Sequence, residues 1–193
     1  MKRKFYKWTL IVTLFFTSAV QQGYSEPEAL FEQVKRIFPE AHSIQTTDVS
    51  EYLIFNQEQQ KIGRALLSSP SADQIVGYFG PVPLLIGIDL KENIVTVLLL
   101  ENRETPSYVE QVISSGLLSK WDGLSKDEAL KKEVDVISGA TLTSRAVIRT
   151  FQKRVSDDIV SNSGSTLPWI FLLGGVVLLG VFYYFFKSRR REA

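Results

Sequence analysis

The sequence predicts an α+β fold in which antiparallel strands and separate helices pack into one domain. Two apolar, β-branched runs at residues 83–88 and 94–100 flank the polar segment 89–93, which is typical of an antiparallel hairpin. Apolar residues at helical spacing occupy other segments, and no internal repeat is visible. The 135 residues between the two chain ends suffice for a single domain of this kind.

Local patterns define the elements in chain order. Leu30 and Val34 share one face of a predicted helix over residues 27–38, which Pro39 ends. Trp121 lies in a turn, and we expect it to pack in the core rather than against a cofactor. The other predicted elements are strands at 52–55 and 63–67, the two hairpin strands, and helices at 106–114, 126–132 and 143–154.

Charge is segregated along the chain, although the formal net charge is only +1. Residues 1–25 carry four basic and no acidic side chains, whereas residues 26–160 carry 14 basic and 20 acidic ones. The last seven residues carry four basic side chains and one acidic one. This pattern does not predict binding to nucleic acid, and basic ends beside apolar runs instead indicate a membrane topology.

The first 25 residues are predicted to be a signal peptide or an N-terminal anchor. Their apolar stretch, residues 8–20, has 13 residues, whereas a bilayer-spanning helix needs about 20. That length suits the hydrophobic region of a secretory signal. Cleavage after Ser25 would leave one membrane span in the mature chain, and an uncleaved segment would give two.

The carboxyl-terminal region is predicted to cross the membrane once. Residues 168–186 are 19 residues without a charge, Trp169 stands at one boundary, and the basic tail 187–193 follows directly. A buried core helix is the weaker alternative, because a basic cluster rarely follows such a helix. The tail is therefore expected in the cytoplasm, and domain 26–160 on the extracytoplasmic, periplasmic side of the cell membrane. A polar linker is predicted at 161–167.

The residue types that are rare or missing exclude several kinds of chemistry. The chain has no cysteine and one histidine. Disulfides, thiolate catalysis, thiolate-held iron–sulfur clusters and a haem held by two histidines are therefore excluded within this chain. No Ser-His-Asp set, phosphate-binding P-loop or G-x-G-x-x-G motif is present, so no catalytic or metal-ligating residue is predicted.

The most informative motif is Asp-Val-Ile-Ser-Gly-Ala-Thr at residues 135–141. Gly139 and its small neighbours leave room around the hydroxyl of Thr141 and permit close backbone approach. A helix is predicted just afterwards, and the free N–H groups of a helix start bind phosphate well. Thr143 and Ser144 are predicted to cap this helix or to bond phosphate oxygens. An ordinary helix-capping loop is the alternative.

This motif resembles the Asp-x-x-Ser/Thr-Gly-Ala-Thr signature of the FMN-binding domain family. That family includes the C subunit of the sodium-pumping NADH:quinone reductase, the G subunit of the Rnf complex and the flavin domains of nitrous-oxide-reduction regulators. The resemblance implies FMN joined to Thr141 by a phosphoester. The residues it implies around the cofactor are Ser138, Gly139, Ala140, Thr141, Leu142 and Thr143.

Attachment of that cofactor implies a partner enzyme. A threonine hydroxyl is a weak nucleophile without an activating base or metal, so the domain is not expected to modify itself. The family implies a flavin transferase that uses FAD and a divalent metal. Asp135 lies in the stretch that this enzyme would recognise, and helix capping or a surface ion pair is its alternative role.

Two further segments resemble the same family, and the likeness extends over about residues 76–154. Residues 101–108 resemble the Glu-Thr-Pro-Gly-Leu-Gly stretch that lies against the flavin ring, with Ser107 in place of the first glycine. This implies cofactor contacts for Glu104, Thr105 and Tyr108, while Thr105 also suits the N-cap of a helix. Residues 76–83 resemble the entry to the flavin domain's hairpin. There Tyr78 and Phe79 either wall the flavin or pack in the core.

Together these features predict a membrane-anchored extracytoplasmic flavoprotein. It would exchange electrons with a membrane or periplasmic redox partner, such as a quinone-linked complex. The alternative is a redox-sensing or structural ectodomain that binds a partner without electron-transfer turnover.

Overall fold

The computed structural model describes residues 26–163. The predicted leader 1–25, the predicted span 168–186 and the tail 187–193 lie outside the described residues. Among the helices of residues 26–163, none is both long and apolar enough to cross a membrane.

Five antiparallel strands form one sheet whose spatial order follows the chain order. The predicted hairpin is confirmed, since the fourth and fifth strands pair with Leu84 opposite Leu99. The first strand is not predicted from the sequence, because it is a polar edge strand with four of its six residues exposed. The strands are β1 Ser43–Asp48, β2 Glu51–Phe55, β3 Lys61–Leu67, β4 Leu84–Ile88 and β5 Ile94–Leu99.

The described residues contain four α-helices and one 3₁₀ turn. They are α1 Glu26–Ile37, α2 Pro106–Ser114, the 3₁₀ turn Leu118–Trp121, α3 Lys126–Lys131 and α4 Thr141–Ser163. The predicted α+β class is confirmed by this arrangement. Helix α2 has the predicted bounds, although the side chain of Thr105 before it makes no capping hydrogen bond.

Alternate residues of the sheet face two cores, as the pleat requires. Leu85 packs on one face with Val34 of α1 and with Phe38, which directly follows that helix. On the other face α2, α3 and α4 enclose a larger core. There the Trp121 ring stacks on Phe151 at a centroid distance of 3.9 Å, and Trp121 is 1% exposed. The predicted core position of Trp121 is therefore confirmed.

Helix α4 is longer than predicted at both ends. It begins at Thr141 and continues to Ser163, so the first three residues of the predicted linker 161–167 are helical. Thr143 and Ser144 lie inside its first turn, and their predicted capping role is wrong. The Ser144 hydroxyl donates to the carbonyl oxygen of Ala140 at 2.8 Å, while the Thr143 hydroxyl donates to a carboxylate outside the helix.

A buried ionic cluster fixes the carboxyl-terminal half of α4. The Asp158 carboxylate accepts hydrogen bonds from Arg64 on β3 at 2.6 and 2.8 Å, and from Lys126 on α3 at 2.8 Å. Glu51 and Glu92 also pair with Arg64. We call these five residues the Asp158 cluster. The side chains of Arg64 and Asp158 are 5% and 2% exposed, so each charge depends on its partners, and this pairing holds α4 beyond its predicted end.

Candidate cofactor site at the start of helix α4

The first turn of α4 presents an accessible hydroxyl beside backbone N–H groups. Thr141 is the first residue of the helix, and it is exposed. Its hydroxyl donates to the carbonyl oxygen of Ile137 over a long distance of 3.4 Å. The first N–H groups of an α-helix lack intrahelical acceptors and carry partial positive charge. This end of α4 therefore favours a phosphate group.

A tight turn at Gly139 leads into the helix. Gly139 has a φ of +88°, a conformation that residues with a side chain rarely adopt. A Cβ at this position would also lie 2.7 Å from Oε1 of Gln111 on α2. The glycine therefore lets the loop before α4 approach α2 closely. Gln111 is a neighbour of the site that sequence reasoning misses, because no local pattern links it to Gly139.

A pocket of about 210 Å³ opens beside Thr141. Its lining combines two tyrosines with the end of the loop before α4 and with the first turn of that helix. Seven of the predicted cofactor residues therefore meet at one place. They are Tyr78, Tyr108, Gly139, Ala140, Thr141, Leu142 and Thr143.

Exposed aromatic and apolar side chains surround this pocket. Tyr78, Phe79 and Leu142 are 54%, 64% and 49% exposed. The Tyr78 ring makes edge-to-face contacts with Phe79 at 4.7 Å and with Tyr108 at 5.8 Å. The core-packing alternative is therefore wrong for Tyr78 and Phe79. Their faces remain available to a planar conjugated ring.

Four other predicted residues are not among those lining the pocket. Asp135 and Ser138 are exposed in the loop before α4, where another protein can reach them. Thr105 is half-buried just before α2. Glu104 is buried, with 5% of its surface exposed.

The Glu104 carboxylate is bound by donors from the protein itself. The backbone N–H groups of Tyr78, Phe79 and Gly80 donate to it at 2.9, 2.7 and 3.2 Å. The hydroxyl of Thr143 donates to it from α4. Consecutive N–H groups arranged in this way form an anion-binding nest. The carboxylate predicted to touch the cofactor is thus held by hydrogen bonds within the protein.

These hydrogen bonds keep Glu104 ionised at neutral pH. Burial acts to raise its pKa, but the hydrogen bonds from Thr143 and from the three N–H groups outweigh burial and lower the pKa. Gly77 provides the space, since a Cβ there would lie 2.7 Å from Oε2 of Glu104. In the sequence, the nest is marked by glycines at positions 77 and 80. The N–H of Gly77 donates a hydrogen bond to the carbonyl oxygen of Gly80 at 2.8 Å, which closes the turn.

A larger cavity of about 490 Å³ lies along α2 and shares no lining residue with the pocket at Thr141. Pro106, Val109 and Ile113 provide its apolar lining. It lacks an exposed hydroxyl at a helix start. We therefore assign the cofactor site to the smaller pocket, because its lining includes the exposed Thr141 hydroxyl at the start of α4.

The residues at the start of α4 fit a cofactor that combines a phosphate with an aromatic ring. The Thr141 hydroxyl can carry the phosphate, and the first N–H groups of α4 can stabilise its charge. Because residue 139 is glycine, no Cβ crowds Gln111 in the loop before α4. Tyr78 and Tyr108 supply aromatic surface beside the hydroxyl.

Comparison with known proteins agrees with this chemistry. The sequence profile of the FMN-binding domain matches residues 77–156. The G subunit of the ion-translocating oxidoreductase complex of Shewanella amazonensis is 33% identical over 104 residues, which cover 48% of this chain and 46% of the relative. The corresponding protein of Pasteurella multocida is 32% identical over 141 residues, covering 67% and 66%.

Further matches are shorter or more distant. The corresponding protein of Haemophilus influenzae is 33% identical over 90 residues, which cover 37% of this chain and 40% of the relative. The match thus spans less than half the length of the Shewanella and Haemophilus relatives. The crystal structure of Shewanella oneidensis NqrC aligns with a TM-score of 0.37 and 20% identity over 59% of this chain and 63% of that one.

The matched residues 77–156 begin at the Gly77 turn and include the attachment motif and most of α4. All residues that line the Thr141 pocket therefore lie inside the matched range. From its sequence motifs and this profile match, the chain belongs to the FMN-binding domain family.

Proposed function

We propose that this chain is a membrane-anchored flavoprotein that carries FMN covalently on Thr141 and exchanges electrons with a redox partner. The observation that carries the proposal is the exposed Thr141 hydroxyl at the first residue of α4, beside an aromatic pocket. FMN supplies the redox chemistry when bound. The protein supplies attachment, orientation and the electrostatic surroundings.

Attachment forms a bond between Oγ1 of Thr141 and the phosphorus of the FMN half of FAD. The bond between that phosphorus and the AMP half breaks, AMP leaves, and the hydroxyl proton passes to a base of the transferase. The described partner of the Thr141 hydroxyl is a carbonyl oxygen, which is too weak a base to activate it. A flavin transferase with a divalent metal is therefore the expected partner, and the exposed Asp135 belongs to the surface it recognises.

The proposed topology follows the charge pattern of the sequence. Residues 1–25 act as a signal peptide or anchor, residues 168–186 cross the membrane once, and residues 187–193 stay in the cytoplasm. Domain 26–160 then lies on the extracytoplasmic side. A covalent bond is useful there, because a lost FMN is not readily replaced outside the cytoplasm.

The proposed electron partner belongs to a membrane complex. The matched relatives are named as subunits of ion-translocating oxidoreductase complexes, which supports a multi-protein partner. The alternative function is a redox-sensing or structural ectodomain. Rapid re-oxidation of the reduced flavin by native membranes supports electron transfer, whereas re-oxidation at the rate seen in detergent alone supports the alternative.

The decisive experiment measures the mass and in-gel flavin fluorescence of the full chain after co-expression with a flavin transferase. Wild type should gain the mass of FMN less one water, and Thr141→Ala should lose both signals. Thr46→Ala, an exposed threonine on β1, is the matched control and should keep them. Unmodified wild type, beside a transferase that labels another FMN-binding domain, would overturn the proposal.

A further inference from the structure

We propose that Glu104 is a positioning residue for flavin attachment, which it supports by holding the Tyr78 turn against the first turn of α4. The proposal rests on the proposed function, because the site that Glu104 organises is the Thr141 pocket. It changes the role expected from the sequence, in which Glu104 contacts the cofactor itself.

One oxygen of the carboxylate bridges two segments that line the pocket. Oε2 of Glu104 accepts from the N–H of Tyr78 and from the hydroxyl of Thr143. Both donor residues line the Thr141 pocket, and they lie 26 and 39 positions from Glu104 in sequence. Loss of this acceptor would therefore release Tyr78 and the start of α4 from each other.

The second oxygen fixes the rest of the turn. Oε1 accepts from the N–H groups of Phe79 and Gly80. Three successive backbone donors leave the turn little freedom, so the Tyr78 ring is held beside Tyr108. Because the carboxylate is buried, these bonds are shielded from competition with water.

Glu104 also leaves the start of α4 open. An acidic side chain near a helix start usually accepts hydrogen bonds from the first N–H groups of that helix. Glu104 instead reaches α4 through the Thr143 hydroxyl and takes its backbone donors from Tyr78–Gly80. Glu104 therefore does not occupy the N–H groups of the first turn of α4, where the phosphate carried by Thr141 would bind.

The test compares two buried carboxylates, Glu104, which contacts the start of α4, and Asp158, which lies in its carboxyl-terminal half. Glu104→Gln removes the charge and one acceptor at the start of the helix. Asp158→Asn, the matched control, does the same within the Asp158 cluster near its other end. For the full chain in detergent we would measure the rate of FMN attachment by a flavin transferase. Hydrogen exchange of the peptide that contains residues 78–80 would be measured in the unmodified protein.

We expect Glu104→Gln to slow attachment about tenfold, the size of one lost hydrogen bond to a charged group, and to speed exchange at residues 78–80. Asp158→Asn should lower the melting temperature but leave both readouts unchanged. Thr143→Val should slow attachment as Glu104→Gln does, and Thr143→Ser should restore most of the loss. If Glu104→Gln does not fold, Thr143→Val can be used to test the link to α4, because this variant keeps the backbone hydrogen bonds to Glu104.

Two results would overturn the role of Glu104. The first is equal slowing by Glu104→Gln and Asp158→Asn at matched folded fractions. The second is unchanged exchange at residues 78–80 in Glu104→Gln. Failure of wild type to accept FMN would instead reject the proposed function, and the exchange measurement would still decide whether Glu104 positions the turn.

Discussion

The start of α4 contacts one buried carboxylate, Glu104, and its carboxyl-terminal half carries another, Asp158, but the two carboxylates have different partners. In the carboxyl-terminal half, Asp158 is bound by the cations Arg64 and Lys126. At the start, Glu104 is bound by three backbone N–H groups and the Thr143 hydroxyl, all of them uncharged. The first arrangement joins α4 to β3 and α3, whereas the second joins the turn at residues 78–80 to the first turn of α4 beside a pocket.

This difference separates a structural end of the helix from a site that can accept a ligand. The charged groups of the Asp158 cluster are already paired with one another, so that region offers little to a ligand. The nest neutralises Glu104 with backbone dipoles and leaves the partial positive charge of the α4 start free. A phosphate on Thr141 would benefit from that charge.

The largest predicted effect is the loss of Asp158. Asp158→Ala should lower the free energy of unfolding by about 3–5 kcal/mol, because it leaves Arg64 and Lys126 buried without their main partner. Denaturant unfolding of the full chain in detergent measures this change. Lys35→Ala breaks the exposed pair with Glu32 and is the control, with an expected loss below about 1 kcal/mol. Equal losses would show that the Asp158 cluster does not hold α4.

The next effect concerns the turn before Thr141. Gly139→Ala should cost about 1–2 kcal/mol for its positive φ, and more because its Cβ meets Gln111. Gly123→Ala is the matched control, since Gly123 has a φ of +75° and no atom within 4 Å of the added Cβ. In denaturant unfolding, adding Gln111→Ala should return Gly139→Ala to the Gly123→Ala value. No such recovery would mean that the contact with Gln111 is not limiting.

The sequence pattern predicted the elements that depend on residues close together in the chain. The β4–β5 hairpin and α2 follow from apolar runs and from the Thr105-Pro106 pair, and both lie where the sequence places them. The start of α4 differs by two residues, because it depends on the Gly139 turn and on a backbone bond from Ser144 to Ala140. The role of Glu104 depends on donors 24 to 39 positions away, and although two glycines mark the turn at residues 77–80, no local pattern links that turn to Glu104.

Both carboxylates should make stability sensitive to acid, through different hydrogen-bond donors. Burial acts to raise both pKa values, but hydrogen bonds from Arg64 and Lys126 lower that of Asp158, and those from Thr143 and the nest lower that of Glu104. Folded pKa values below the unfolded ones mean that the stabilisation is present above about pH 4 and is lost as pH falls through the folded values.

Urea midpoints of the full chain measured from neutral pH down to about pH 3 test this expectation. Wild type should lose stability below about pH 4, by roughly 1 kcal/mol for each pKa unit of difference between the folded and unfolded states. Asp158→Asn and Glu104→Gln should each flatten the acid limb of the curve. If neither variant reduced the loss of stability at low pH, other carboxylates would be responsible for the acid sensitivity.

The smallest predicted effect is on stability at the attachment residue itself. Thr141→Ala should change the free energy of unfolding by no more than about 0.5 kcal/mol, because the side chain is exposed, its hydrogen bond is 3.4 Å long, and alanine favours a helix. Thr143→Ala is the control two residues on. Thr143 is buried and donates to Glu104, so its loss should cost about 1–3 kcal/mol in the same denaturation experiment. A large cost at Thr141 would show that its hydroxyl supports the fold. A negligible cost, together with complete loss of FMN attachment, would show that the fold does not need this hydroxyl and that it serves the cofactor.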